Sequence, residues 1–280
     1  EGGWMITYSF ENPIVAAEQG QDADINVVVC QEGLDLQDIA ALPQLEYLNL
    51  DHTELPEGSL ETLSSLKMIT CDYIQLDMLR LALGDAAKGL ERLNASHLKS
   101  LEELSYFPGL KSLEMEDCRE ISDISALAQV KDLENLKLYD MDEVNDFTVL
   151  NVLKKLRSLS IDAEKLKDIS FINHMPELAS LGITDSKILL LDPLMGKESL
   201  KALVLVDNGE VRDYNPVGTL TGLETLVINK YTSQDDPDLT ALTGLKHGEF
   251  HGMMGIRFLG SLTGLEELKV QGCNVDQPSV

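Results

Sequence analysis

The chain has 280 residues, 44% of them hydrophobic, which suits one large folded domain or two ordinary ones and excludes disorder throughout. Its 48 acidic residues stand against 22 Lys+Arg, a formal charge of −26, so nucleic acid and anionic membrane surfaces are repelled and a charged partner is expected to be basic. The longest apolar run, around Ile188 to Leu191, falls far short of the roughly 20 residues that cross a bilayer, so membrane insertion is not expected.

The chain opens on Glu1, with neither a basic nor an apolar leader, and an upstream segment removed by secretory processing or by trimming is the expectation. "WMITYSF" from Trp4 alternates bulky apolar residues with smaller ones and predicts a strand. "INVVVCQEGLDL" from Ile25 reads as a degenerate first repeat, so residues 1–44 are expected to cap the N-terminal edge of a repeat domain at 45–280. The four cysteines, Cys30, Cys71, Cys118 and Cys273, lie far apart, with no CxxC pair or metal-ligand spacing. They read as free thiols, which leaves the compartment open.

From Leu45 onward one pattern returns every 20 to 24 residues. "LEYLNL" at Leu45 is followed by "LKMITC" at Leu66, "LERLNA" at Leu90, "LKSLEM" at Leu110, "LENLKL" at Leu133 and "LRSLSI" at Leu156. It continues as "LASLGI" at Leu178, "LKALVL" at Leu200, "LETLVI" at Leu223, "LKHGEF" at Leu245 and "LEELKV" at Leu265. In LxxLxL the fourth and sixth residues share one side of a short strand and face a core, while the fifth and seventh face outward. One such strand cannot bury its apolar side alone, whereas eleven stacked in parallel can. The return segments, such as "ISDISALAQV" from Ile121 and "DLTALTGL" from Asp238, are short enough to predict extended or 3₁₀ structure.

These eleven matches in phase, from Leu45 to Val275, resemble leucine-rich repeats, and the roughly 22-residue unit with its "ISDISAL" and "TLTGLETL" elements resembles the internalin-type repeats of bacterial surface proteins. The resemblance implies an α/β solenoid: a leucine-rich repeat arc with a parallel concave sheet and short extended or 3₁₀ segments on the convex side. The family's asparagine position, three residues past the last apolar strand residue, falls on Thr53, Ile74, Leu98, Cys118, Met141, Glu164, Ser186, Asn208, Tyr231, Met253 and Cys273. Only Asn208 matches, so the buried amides of most turns must find other partners.

In that register the outward positions form columns. The N-terminal half is acidic with tyrosines interleaved, which makes Tyr47, Asp51, Asp72, Tyr73, Glu116, Tyr139 and Asp162 candidate partner-binding residues. Acidic surface is also what a charge of −26 produces everywhere. A calcium site between Asp51 and Asp72 would need six or more oxygens, and the sequence has no DxDxDG loop. Val204, Val206 and Val227 place apolar side chains where exposure is expected, either as a second contact patch or because β-branched residues favour strands.

"LKHGEFHGMMG" from Leu245 would bring His247 and His251 onto one helical face as a metal pair, but the register makes it a strand, with the two histidines ~13 Å apart at ~3.3 Å per residue. Solvated histidines on a binding face are the expectation, with no metal and no cofactor. GxSxG, GxxxxGK[ST], GxGxxG and HExxH are all absent, and His174 stands alone in "INHMPEL". The reading is a non-catalytic recognition module, monomeric, with a protein or other macromolecule on its concave face. The resemblance implies a secreted or surface-exposed bacterial protein, with a cytosolic adaptor as the alternative and a metal-dependent enzyme as a further one.

Overall fold

The computed structural model describes residues 5–7, 27–30, 36–42, 44–51, 54–229 and 236–273. The chain divides into two compact units, Glu1–Leu133 and Glu134–Val280. The first holds β1 (Met5–Thr7), β2 (Val27–Cys30), α1 (Leu36–Ala40), β3 (Tyr47–Asp51), β4 (Met68–Asp72), α2 (Leu76–Leu83), β5 (Arg92–Ser96) and β6 (Ser112–Glu116). The second holds β7 (Asn135–Leu138), β8 (Ser158–Asp162), β9 (Ser180–Thr184), β10 (Ala202–Val206), β11 (Thr225–Asn229), β12 (His247–His251) and β13 (Glu267–Gln271). Within each unit every strand pairs in parallel with its sequence neighbours. β13 is the last described strand, and its inward Leu268 and Val270 are exposed.

The pairing is in register on the LxxLxL pattern. In the first unit Leu48, Ile69, Leu93 and Leu113 align, as do Leu50, Cys71, Ala95 and Met115. In the second, Leu159, Leu181, Leu203 and Leu226 form the same row. All of these residues are buried, and so are the leading leucines Leu45, Leu66, Leu90 and Leu110. Each fully buried aliphatic side chain stabilises by roughly 1.5–3 kcal/mol, so the ladder accounts for most of the favourable free energy of a repeat.

The returns are 3₁₀ turns with one recurring lock. Asp123, Asp146, Asp168, Asp213 and Asp238 each accept, through Oδ1, the amide two residues on, at 2.7, 2.8, 2.9, 2.9 and 3.0 Å. At the first four this Asx turn starts a 3₁₀ segment, whose first internal bonds are Leu127 N–H to Ile124 O, Leu150 N–H to Phe147 O, Ile172 N–H to Ile169 O and Val217 N–H to Tyr214 O. His174 ends one of these turns. Hydrogen bonds from Thr148 and from Thr240 hold the carboxyls of Asp146 and Asp238 below the usual aspartate range. The extended or 3₁₀ expectation needs a correction: α2 is an α-helix, and so is the short α1 between β2 and β3. The 24 residues from Leu66 to Leu90 are the longest spacing, which leaves room for two turns that bury Leu76, Leu79, Ala82 and Leu83.

After most strands a left-handed residue follows, directly or, after β7, one residue later: Tyr73, His97, Asp117, Asp140, Asp185 and Asp207 have φ between 42 and 58°, and Gly252 and Gly272 have 68 and 64°. Four of these residues turn their amides onto the next strand's last carbonyl, Tyr73 to Ser96 at 3.3 Å, His97 to Glu116 at 3.1 Å, Asp185 to Val206 at 3.1 Å and Gly252 to Gln271 at 3.0 Å. The amides thus need no asparagine ladder. Ile74, Leu98, Cys118, Met141 and Met253 fill that position as buried apolar residues, while Thr53 and Tyr231 lie outside the described residues. Glu164 is a second correction. It is exposed, and Ala163, directly after Asp162 with no left-handed residue between, takes the buried place. Asn208 keeps the family role: its Nδ2 donates to Ile183 O at 2.8 Å and its Oδ1 accepts from Ser186 Oγ at 2.6 Å. Burial pushes the Cys118 thiol up to about 11, so it stays protonated at neutral pH.

β12 departs from the ladder, with glycine where the other units carry leucine or isoleucine. The Phe250 ring fills the gap, since a Cβ on Gly248 would lie 2.7 Å from its Cε2, and it meets Phe258 edge-on at 5.1 Å. Gly248→Ala is therefore expected to destabilise by ~1–3 kcal/mol through overpacking. Combined with Phe250→Leu, the loss in urea unfolding should be smaller than the sum of the two single losses. Strict additivity would show that the two sites do not share this space.

Candidate binding face

The outward strand positions alternate with the buried ones and are mostly half-buried themselves. In the first unit Tyr47 projects from β3 and donates its hydroxyl to Thr70 Oγ1 at 3.3 Å. Asp51 ends β3, and its side chain lies outside the described residues. Asp72, at the end of β4, accepts from His97 Nδ1 at 2.7 Å. An ionised carboxylate can only accept, so Nδ1 carries the proton and the imidazole is held in one orientation. Tyr73, 53% exposed, stacks on that imidazole with ring centroids 3.9 Å apart and planes 13° apart. Glu116 is exposed at the end of β6.

Beyond the ends of β4, β5 and β6 lies a hollow of about 400 Å³ lined by Tyr73, His97, Leu98, Lys99, Asp117, Arg119 and Glu120. Arg119 Nη2 pairs with Asp117 Oδ1 at 2.7 Å, and Lys99 Nζ with Glu120 Oε1 at 3.1 Å. The column reading places Tyr73, His97 and Asp117 side by side but gives no sign of the hollow, because Lys99, Arg119 and Glu120 sit in irregular segments with no periodicity to read.

In the second unit Tyr139 follows β7 and is half-buried. Asp162, at the end of β8, accepts from Thr184 Oγ1 at 2.9 Å. Burial raises its pKa, the Thr184 bond opposes that shift, and the charges of Asp185, Asp140 and Asp142 add to it. Val204 pairs in register with Gly182 on one side and Val227 on the other, and Val206 with Thr184. Together with Ser158, Ser160, Ser180, Ala202, Thr225 and Asn229, these make eleven uncharged outward positions on β8–β11, with Asp162 the twelfth. At the chain's 25% charged content, twelve positions would carry about three charges, so the strip is depleted in charge.

His247, Glu249 and His251 lie on β12, as the register predicts. Glu249 accepts from His251 Nε2 at 2.8 Å and Lys269 Nζ at 3.1 Å, and both bonds hold its carboxyl below the usual range, the His251 one foremost. His247 Nδ1 faces Glu267 Oε2 at 3.3 Å. Each imidazole thus has its own carboxylate, and the two rings are not drawn together on one point. Among the described residues no cluster of three His, Cys, Asp or Glu side chains converges on a common point.

The raised pKa of Asp162 has a definite sign. The folded state holds its proton more tightly than the unfolded state, so the ionised form subtracts stability in full above the folded pKa and stops doing so as the pH falls below the ordinary value. Asp162→Asn keeps an acceptor for Thr184 and removes the charge. It is expected to raise the melting temperature at pH 7, and the gain should shrink as the pH falls through ~4. A variant that melts lower at pH 7 would assign the carboxylate a stabilising role.

No protein-family model and no curated protein matches the chain. Solved structures do match. An internalin (InlF) from Listeria monocytogenes aligns at 23% identity over 92% of this chain and 84% of its own, with a TM-score of 0.65. An internalin C2 from the same organism aligns at 19% identity over 75% of this chain and 84% of its own, with a TM-score of 0.50. A TLR13–ssRNA13 complex aligns at 15% identity over 92% of this chain and 53% of its own, with a TM-score of 0.52. At these identities the likeness establishes the fold: the chain is a leucine-rich repeat solenoid.

Proposed function

From a leucine-rich repeat fold, we propose a non-catalytic recognition scaffold that captures a protein or other macromolecule on its outward strand face. The observation that carries this reading is the uncharged strip on β8–β11. Interface centres are depleted of charge while their rims are polar, and this chain keeps eleven of twelve adjacent outward positions neutral while carrying −26 overall. Val204, Val206 and Val227 supply its apolar part, and Asp162 stands at its margin. Tyr139, directly after β7 in the preceding repeat, adds rigid contact area that loses little entropy on ordering. In the first unit Tyr47, Asp51, Asp72, Tyr73 and Glu116 form a separate candidate surface, whose carboxylates favour a basic partner.

Catalysis has no support in the geometry. The described carboxylates with lowered pKa values are held there by lysine, histidine or threonine partners, and Asp162, the one that burial raises, bonds to the Thr184 hydroxyl and otherwise faces the carboxylates of Asp185, Asp140 and Asp142, with no nucleophile or base beside it among those partners. One structural neighbour holds single-stranded RNA, but a surface charge of −26 opposes a polyanion here. The proposal includes a monomeric chain, a cap at residues 1–44 before the repeats at 45–280, and a secreted or surface role. That last element draws on the likeness to the Listeria internalins; a cytosolic adaptor is the competing placement, and fractionation of the source cells separates the two.

A photo-crosslinking amino acid at position 204, on the strip, should trap one partner that the same probe at position 173, on an exposed return turn, does not. Val204→Asp should weaken that partner at least tenfold while thermal unfolding stays nearly unchanged. Equal trapping at both positions, or a partner indifferent to Val204→Asp, would remove the strip from the interface.

A further inference from the structure

The strip on β8–β11 carries a single ionisable side chain, Asp162, and the residues that crowd it are acidic. We propose that a partner laid on the strip drives one proton onto Asp162, so that capture strengthens as the pH falls. This rests on reading the strip as the recognition surface and adds the condition under which that surface holds its partner.

The backbone fixes acidic residues on both sides of Asp162. On the β7 side the Met141 amide donates to the Asp162 carbonyl at 3.2 Å, which brings Asp140 and Asp142 up to the end of β8. Tyr139 follows Leu138, the register partner of Ile161, and so lies beside Asp162 as well. On the β9 side Asp162 pairs with Thr184, whose hydroxyl donates to its Oδ2 at 2.9 Å, and Asp185 comes next in the chain. Asp140 and Asp185 are held in left-handed backbone, at φ 54 and 42°. The cations of these repeats are engaged elsewhere: Lys165 pairs with Glu143 at 2.9 Å, and Lys187 pairs with Glu164 while also feeling the charge of Asp185. Lys137 stands opposite Ser160, two residues along β8 from Asp162.

Burial is the largest influence on the Asp162 carboxyl and pushes its pKa up; the Thr184 bond opposes this, and the charges of Asp185, Asp140 and Asp142 add to it. A partner on the strip strengthens both upward influences. It removes the remaining water from a half-buried carboxyl, and it lowers the dielectric through which the three neighbouring charges act. A partner complementary to eleven neutral positions meets them with uncharged groups and offers the carboxylate no counter-charge. The carboxyl then takes a proton and becomes a neutral donor and acceptor among serine, threonine and valine. Asp162 therefore holds its proton more tightly in the complex than in the free chain. Above the bound-state pKa it is ionised in both, and affinity is flat with pH. Between the two values affinity rises by about tenfold per pH unit as the pH falls, one proton entering per partner, and below the free-state value it levels off. A lysine or arginine of the partner set against Asp162 reverses that slope.

Two measurements on the full chain test this. The first needs no partner: a carboxyl-carbon NMR titration, with the Asp162 signal assigned by its loss in Asp162→Asn, should place Asp162 above the ordinary aspartate value of ~3.9, and Asp185→Asn should bring it down. An Asp162 that titrates at or below that value overturns the proposal. The second uses the photo-crosslinking amino acid at position 204 as the probe and reads affinity from the concentration dependence of trapping. Capture should be tighter by about fivefold or more at pH 5 than at pH 7.5. With Asp162→Asn, capture at pH 7.5 should tighten by about the same factor and lose most of its dependence on pH. Asp192→Asn, which removes an exposed charge from a return turn, should change neither. A partner trapped equally well at both pH values overturns the proton uptake and leaves the recognition reading standing. So does a partner held less tightly in acid, and that result assigns Asp162 a basic contact. If position 204 traps nothing at any pH, the strip is not the interface and the proposal falls with it.

Discussion

A five-residue parallel strand can bury only its alternate side chains, and everything else in this protein follows from meeting that limit. Two leucine-class side chains per strand are too little to hold a strand alone, so each must be covered by the equivalent pair on the strands beside it. In-register parallel pairing is the arrangement that does this for identical units, and the aligned rows from Leu48 to Leu113 and from Leu159 to Leu226 show it. The same alternation leaves three outward positions per strand with no part in the core. Those positions are left for other roles, and the proposed binding face is built from them.

The turn after each strand illustrates how little of a repeat is dictated beyond that core. An asparagine ladder is one way to satisfy buried turn groups, and Asn208 with Ser186 and Ile183 still uses it. Elsewhere a left-handed residue aims its amide at the neighbouring strand's carbonyl, and an apolar side chain then takes the buried position. The required polar partner is backbone in one case and side chain in the other, and in both the hydrogen bond runs between adjacent repeats. The first unit adds a variant: Gln75 donates to His97 O and accepts from Lys99 N–H, bridging to the next turn with a side chain outside the family position.

The strands were legible because their signal is repeated. Eleven LxxLxL matches fix the register, and the register alone places His247, Glu249 and His251 on a strand with Lys269 beside Glu249. Where a single repeat departs from the rest, the pattern misleads. Counting places Glu164 in the buried turn, but the turn after β8 is one residue shorter and Ala163 goes in instead. The longer spacing around Leu76–Leu83 shows that this repeat holds extra residues, but such residues can form a loop as readily as an α-helix, so spacing alone does not choose between them. The hollow by Tyr73 was not legible at all, because it depends on how three irregular segments from successive repeats lie against each other.

Charge completes the picture by its placement. Much of the positive charge is committed to links between neighbouring repeats: Arg80 to Glu103, Arg157 to Glu177, Lys165 to Glu143, Lys187 to Glu164 and Lys246 to Glu224 join residues 20 to 23 apart in sequence. Most such pairs are exposed, and each contributes no more than ~1 kcal/mol, so they do not hold the solenoid together. Their effect is to gather basic residues at the margins of the repeats, and the remaining excess is acidic. Repulsion from that excess makes indiscriminate contact with other acidic surfaces costly. On the proposed reading the strip on β8–β11 lifts this penalty, since a partner laid there would desolvate serine, threonine and valine and strip water from one carboxylate at most. Under that proposal, a surface that repels broadly and relents at an uncharged strip would select its partner by shape and apolar contact there, with attraction between net charges serving only to bring a basic partner near.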